Sequence, residues 1–274
     1  MEANFTQKKV NHIFHYTKSF DSLASILLKG FSPSYCEEQI AESIYLIPMV
    51  SFCNIPIRDV DLYMRYGGYG IGMSIEWAVK NTVSPVIYVH ENSPYNDLHR
   101  RTNMELLADM VQRQLEDVAT QMEAAIDRGE FDYHPKPKEG YGKLLQIINR
   151  DITVPTLQFF KNWKVQYQQQ EIITYQEREW RYVPNLKDGK RIIESSDEEF
   201  DNYKNGTKPK PHLPEYLLPI DSITDLRYII ISNEEERSGA IKCLIEKFGE
   251  KDILNALFSG TLFILTDQQV KNDF

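Results

Sequence analysis

The sequence predicts an α+β fold, a mixed and partly split β-sheet with flanking helices, on three grounds. Strand-like and helix-like stretches both recur, but without the steady alternation that winds a parallel sheet. The chain has 274 residues, 42% of them hydrophobic and 12% aromatic, enough to bury a substantial core. No internal repeat divides it, so 1–274 is expected to form a single domain, with two small domains as the alternative.

Phe14-His15-Tyr16-Thr17 reads as a short strand and the residues after it as an amphipathic helix. Phe20, Leu23, Ile26 and Leu27 recur every three or four positions, Ser19 or Asp21 can cap the start, and Gly30 suits a left-handed C′ position. Pro48 to Phe52 is a strand that ends in the Asn54-Ile55-Pro56 turn. Tyr69 to Met73 alternates large side chains with glycine, as a strand does where another backbone or a ligand comes close. Ile75 to Lys80 follows as a short helix and, after Pro85, Val86 to Val89 as a strand. Leu107, Val111, Leu115, Val118, Met122 and Ile126 then repeat at helical spacing up to Asp127-Arg128-Gly129. That helix is expected to pack across or beside the sheet, and it is long enough to serve as a lid or a partner-facing surface.

Asp132 to Gly142 is a loop, and a second helical patch surrounds Leu144, Leu145, Ile147 and Ile148. Leu157 to Tyr182 is rich in aromatic and polar residues, with Gln168-Gln169-Gln170 as a turn between two strands. The charged stretch 187–214, with Pro209, Pro211 and Pro214, shows little periodicity and predicts an exposed, mobile excursion. Regularity returns with a strand at Arg227 to Ile231, a helix from Glu234 to Phe248 capped by Ser232 or Asn233, and a strand at Leu262 to Leu265.

Composition narrows the function classes. A formal net charge of −9 argues against non-specific binding along a phosphate backbone, because the long-range field repels it. Met1 to Val10 is polar, and no stretch approaches the roughly 20 apolar residues of a membrane span, so a cytoplasmic protein without membrane contact is expected. Cys36, Cys53 and Cys243 form no close pair and no metal-type spacing. They read as reduced packing thiols, and no metal is expected.

Two places carry candidate chemistry. His15 can hydrogen-bond a sugar hydroxyl, with Tyr16 or Thr17 fixing that sugar, since imidazole presents a donor and an acceptor at a set separation. The alternative is a histidine satisfied inside a strand. If Tyr175 to Val183 is a strand, Glu177, Glu179 and Arg181 project from one face. A carboxylate held there can stabilise the oxocarbenium-like sugar left when an N-glycosidic bond breaks; the alternative is an Arg181 ion pair on an exposed strand or an i, i+4 pair on a helix. Ser51 and Phe52 can offer a hydroxyl and a stacking ring, though a core phenylalanine also fits. Gly67 to Gly72 lacks the Lys-Ser/Thr of a phosphate loop and reads as a turn and a closely approached strand. His99, Arg100 and Arg101 read as a solvated helix shoulder that can touch phosphate.

Four blocks resemble the AbiGi family of abortive phage resistance proteins, in the same order over most of the chain. They are Phe14-His15-Tyr16-Thr17 with Ile26-Leu27 and Gly30, Val50 to Pro56, Tyr69 to Trp77, and Glu177-Arg178-Glu179-Trp180-Arg181-Tyr182-Val183-Pro184. This resemblance implies bacterial anti-phage defence and an antitoxin that neutralises a partner toxin. The first block is also similar, more distantly, to the opening motif of ADP-ribosyltransferase-like proteins, a His-x-Thr followed by an Ile-Leu-x-x-Gly helix. That similarity implies an ADP-ribosyltransferase-like scaffold with NAD as substrate: His15 on the ribose with Tyr16 and Thr17 beside it, Ser51 and Phe52 under the nicotinamide, Glu179 assisting its loss and Glu177 activating an acceptor. Ser51-Phe52 departs from the longer Ser-Thr-Ser pattern of many such enzymes. Two functions therefore compete: an NAD-consuming transferase, to which nucleic acid is at most an acceptor, and an inactive scaffold that binds a toxin or other protein through its acidic surface and long helix.

Overall fold

The computed structural model describes residues 10–40, 43–59, 66–90, 92–135, 154–167, 169–187, 189–211 and 213–273, with the backbone alone for 94–107, 110 and 167. Met1 to Lys9, the helical patch around Leu144 to Ile148 and Gln168 lie outside the described residues, as do the side chains of His99, Arg100 and Arg101. In chain order the strands are β1 (His12–Thr17), β2 (Ser34–Ile40), β3 (Ser43–Cys53), β4 (Tyr69–Ser74), β5 (Ser84–Pro85), β6 (Ile87–Val89), β7 (Phe160–Asn162), β8 (Val165–Tyr167), β9 (Gln170–Ile172), β10 (Glu179–Tyr182), β11 (Ile193–Glu194), β12 (Leu226–Ile231) and β13 (Phe263–Thr266). The helices are α1 (Phe20–Lys29), α2 (Ile75–Lys80), α3 (Pro94–Asp127), α4 (Val154–Gln158), α5 (Glu198–Lys204), α6 (Arg237–Phe248), α7 (Glu250–Phe258) and α8 (Asp267–Asp273).

The main sheet runs β13-β12-β4-β1-β3-β10-β5, with β2 and β11 also paired to β3. Its pairs are antiparallel except β12 with β13. This is the mixed α+β arrangement that the pattern predicts, and β3 explains why it is split. Ser43 to Met49 pairs with β2, and Tyr45 and Leu46 also meet β11. From Val50 onward the same strand pairs instead with β10 and, at Cys53, with β1. Pro48, which has no N–H to give, falls between the stretch paired with β11 and the stretch paired with β10, where a ladder position is open on that side.

The register sorts side chains by face, because directly opposed residues in an antiparallel ladder share a side. Phe14, Cys53 and Glu179 line up across β1, β3 and β10 on one face. Ile13, Val50, Phe52, Ile71 and Met73 point the other way into the main core, where Leu23, Leu27, Trp77, Ala240, Leu244 and Ile253 cover them. A smaller apolar cluster of Phe14, Cys53, Ile55, Ile230 and Val270 occupies the first face.

Local chemistry sets the helix ends. The Ser19 side chain accepts from the Ser22 amide at the start of α1, and a capping box joins Asn233 and Glu236 before α6. At the end of α1, Gly30 has φ 101° and ψ 179°, so it is extended with a positive φ and not in the left-handed helical conformation expected. The chain turns there because Phe31 must bridge to Leu218, and the Leu218 carbonyl leaves no room for a Cβ. Helix α3 begins with proline at its first position, where the absent N–H costs nothing.

Two segments differ from expectation. The stretch 187–214 contains β11 and α5 and buries Ile193, Phe200 and Leu213 against Tyr35 and Leu46 of the β2–β3 hairpin. Three apolar residues suffice to dock it, although they are too widely spaced to show a period. Helix α3 has the predicted stripe, yet Val111, Leu115, Met122 and Ile126 are exposed and not packed on the sheet.

Gly30→Ala is expected to destabilise the fold by about 1–3 kcal/mol, since the new Cβ combines a strained backbone with a clash. That Cβ would lie 2.5 Å from the Leu218 oxygen. Urea unfolding of the two proteins, with the midpoint shifted down and the slope unchanged, checks this.

Candidate functional site

The segment leading into β10 does not form the single strand expected from Tyr175 to Val183. Thr174–Glu177 is a 3₁₀ turn, Arg178 is left-handed at φ 46°, and the strand begins only at Glu179. The alternation that would align Glu177 with Glu179 is therefore absent, but the tight turn brings the two carboxylates together by another route. Both face Lys161 of β7, whose Nζ lies 2.5 Å from Glu179 Oε2 and 3.5 Å from Glu177 Oε2.

Around them is a closed network of charges. The Arg181 guanidinium donates through Nε to Glu179 Oε1 at 2.6 Å, pairs through Nη2 with Glu38 Oε1 at 2.9 Å, and donates through Nη1 to the carbonyls of Gln158 and Phe160. Lys161 also approaches Glu38 at 3.6 Å. The Ser51 hydroxyl donates to Glu179 Oε1 at 3.0 Å, Tyr66 donates to Glu177, and the Glu179 amide donates to the Tyr88 hydroxyl. Three carboxylates thus surround two cations, with Arg181 at 0% exposure and Glu177 and Glu179 at 3%. Burial alone would push the Glu179 carboxyl up, but Arg181 and Lys161 outweigh it and hold the group down at about 2. Burial likewise opposes the charge on Lys161, and Glu179, Glu38 and Glu177 more than reverse that, so the ammonium persists. Burial raises the Tyr88 phenol, which stays neutral.

The structure gathers Ser51, Glu177 and Glu179 and leaves the other candidates elsewhere. His15 lies on the opposite face of the sheet, in edge contact with Phe31 and tilted against Phe52. Its Nδ1 is 2.9 Å from the Ser51 carbonyl, which can only accept, so Nδ1 carries the proton. Burial lowers the pKa of that imidazole and keeps it neutral. Phe52 is fully buried between Phe31 and Trp77. Tyr16 faces the smaller cluster beside Phe14, while Thr17 sits with its carbonyl against Gly67. Lys161, Glu38, Tyr66 and Tyr88 belong to the network and have no motif in the sequence. A lysine set between Phe160 and Trp163 is the only trace, and nothing local tells which acid it meets.

Such an arrangement can clamp, because each cation bridges separate elements. Lys161 ties the small β6–β7 pair to β2 and β10, and Arg181 ties β10 to β2 and to the backbone of α4 and β7. Beside it, a cleft of about 360 Å³ is lined by Gln39, His90, Trp163, Lys164 and Glu171 among others. Among the described residues no His, Cys, Asp and Glu side chains form a group of three or more that could hold a metal ion, and none of the helices is long and apolar enough to cross a membrane.

Residues 31–232 match the protein-family model described as "Putative abortive phage resistance protein AbiGi, antitoxin". The chain belongs to the AbiGi family. It is 24% identical over 254 residues to an abortive phage resistance protein AbiGi of Lactococcus lactis subsp. cremoris, covering 84% of this chain and 90% of that relative. No solved structure matches it. The AbiGi match contains the whole charge network, from Glu38 to Arg181, and stops short of β1 with His15 and of the C-terminal helices α6 to α8.

Glu179→Gln is expected to cost about 3–5 kcal/mol, because it strips the buried Arg181 of its main counter-charge. The native carboxyl is depressed from 4.5 to about 2, so its contribution is complete above pH 4.5 and fades as pH falls from there toward 2. Urea unfolding across that range should show wild-type stability falling faster than that of Glu179→Gln.

Proposed function

We propose that the protein is the antitoxin of an abortive-infection pair, acting in the cytosol by binding and neutralising a toxin protein. Membership of the AbiGi family over residues 31–232 carries this reading. A net charge of −9 adds to it, since an acidic surface favours encounter with a basic partner.

The competing reading, NAD cleavage on an ADP-ribosyltransferase-like scaffold, draws less support from the site. A glutamate that stabilises a cationic sugar must face that sugar with its charge uncommitted. Glu179 is instead bonded to Ser51, Arg181 and Lys161 and closed off from solvent. The ribose and nicotinamide contacts would have to come from His15 and Phe52, which pack on the other side of the sheet.

In cells arrested by the cognate toxin, co-production of this chain is expected to restore growth, and the purified pair to elute as one complex. Continued arrest together with separate elution refutes the antitoxin reading. Incubation with NAD is expected to release no more nicotinamide from wild type than from Glu179→Gln. Release that the substitution abolishes would install the transferase in its place.

A further inference from the structure

Burial sorts the apolar residues of α3 into two sides. Ala125 is buried, Gln114, Val118 and Gln121 are half-buried, and Tyr133 donates to Gln121, so the chain itself covers that side of the helix. Next to it Val111, Leu115, Met122 and Ile126 stand in solvent at 46% to 63% exposure. They follow one another at steps of four, seven and four, which aligns them along one edge of the helix. A contiguous apolar strip of this kind is rarely left open on a soluble chain.

The strip has one open flank, and that flank is acidic. Each residue turns the helix by about 100°, so the residue after each apolar member lies on the side away from the covered one. Those residues are Gln112, Glu116, Glu123 and Asp127, all of them exposed, and Asp109 extends the row. The helix offers them no cation. Arg113 lies further round, Arg128 pairs with Glu130, and the last turn of α3 has no basic residue. Glu123 and Asp127 also lie toward the C-terminal, negative end of the helix dipole, where a carboxylate is unfavourable. 

We infer that this face of α3 is where the toxin docks, and that the toxin segment it takes is amphipathic and basic. Apolar side chains of that segment lie against Val111, Leu115, Met122 and Ile126, and its lysines or arginines meet Glu116, Glu123 and Asp127. The inference rests on the antitoxin reading and assigns that reading its contact surface. Apolar burial supplies the adhesion and the acid row the selection. A second copy of this chain brings the same acids and no cation on the matching face, and nucleic acid is repelled by them. A basic segment instead finds a carboxylate beside three of the four apolar residues and relieves the excess of acid at the negative end of the dipole.

Binding of the purified full chain to the purified cognate toxin, followed by isothermal titration calorimetry, is expected to weaken about tenfold or more in Leu115→Glu and in the double variant Glu116→Lys/Glu123→Lys, and wild-type binding to weaken as salt is raised. Circular dichroism of both variants should match wild type, because the replaced side chains are exposed. Glu215→Lys/Asp221→Lys, the same change of charge at exposed sites outside α3, should bind as wild type does. Wild-type binding that both α3 variants retain overturns the docking face and leaves the antitoxin reading standing. An equal loss in Glu215→Lys/Asp221→Lys does the same, since net charge alone would then be the cause. No binding by wild type removes the antitoxin reading and this face with it. A wild-type chain that sediments as a dimer broken by Leu115→Glu gives the strip to a second copy and likewise overturns the assignment.

Discussion

Arg181 holds a full positive charge with no exposed surface, and much of the molecule is arranged around that fact. An unpaired guanidinium so placed would be strongly destabilising, so the acids that reach it are structural necessities. Glu179 arrives from the same strand, Glu38 from the hairpin strand β2, and two backbone carbonyls from the α4–β7 segment. Lys161 then balances the surplus of carboxylates. Segments far apart in the sequence are held in mutual register by a few short contacts. Removing any member leaves another stranded, which makes the network a specifier of this arrangement as well as a contributor to its stability.

The two faces of the sheet are chemically unlike. One carries the large aliphatic and aromatic core beneath α1, α2, α6 and α7. The other combines a small apolar cluster with the ion network. A strand passing between them must alternate accordingly, and β10 does: Glu179 and Arg181 face the charges while Trp180 and Tyr182 join the core. His15 and Glu179 lie only two strands apart, yet alternation separates them as surely as distance would.

Elements with a strong local period were legible in the sequence. α1, α2, α3, α6 and β12 follow from apolar spacing and caps, and β4 from its glycine alternation. What failed to show was set by contacts distant in sequence. β2 carries Cys36, Glu37, Glu38 and Gln39, a polar run without strand character, and it exists because β3 offers it a full ladder. The break at Arg178 is invisible because nothing in Arg predicts a positive φ. Within the site, the Glu-Arg-Glu-Trp-Arg block supplies two of the network's three carboxylates, but their counter-ion Lys161 lies in a segment with no periodic link to them. Family likeness was readable in the sequence, whereas the chemistry depends on which charges the fold brings face to face.

Because β3 serves both halves of the sheet, neither half keeps its central strand if the other is lost. The segment from Leu46 to Cys53 should behave as the last protected part of the sheet: its amides exchange with solvent only when both halves open. A strand shared in this way couples the two halves of the sheet, so a contact that steadies one half steadies the other.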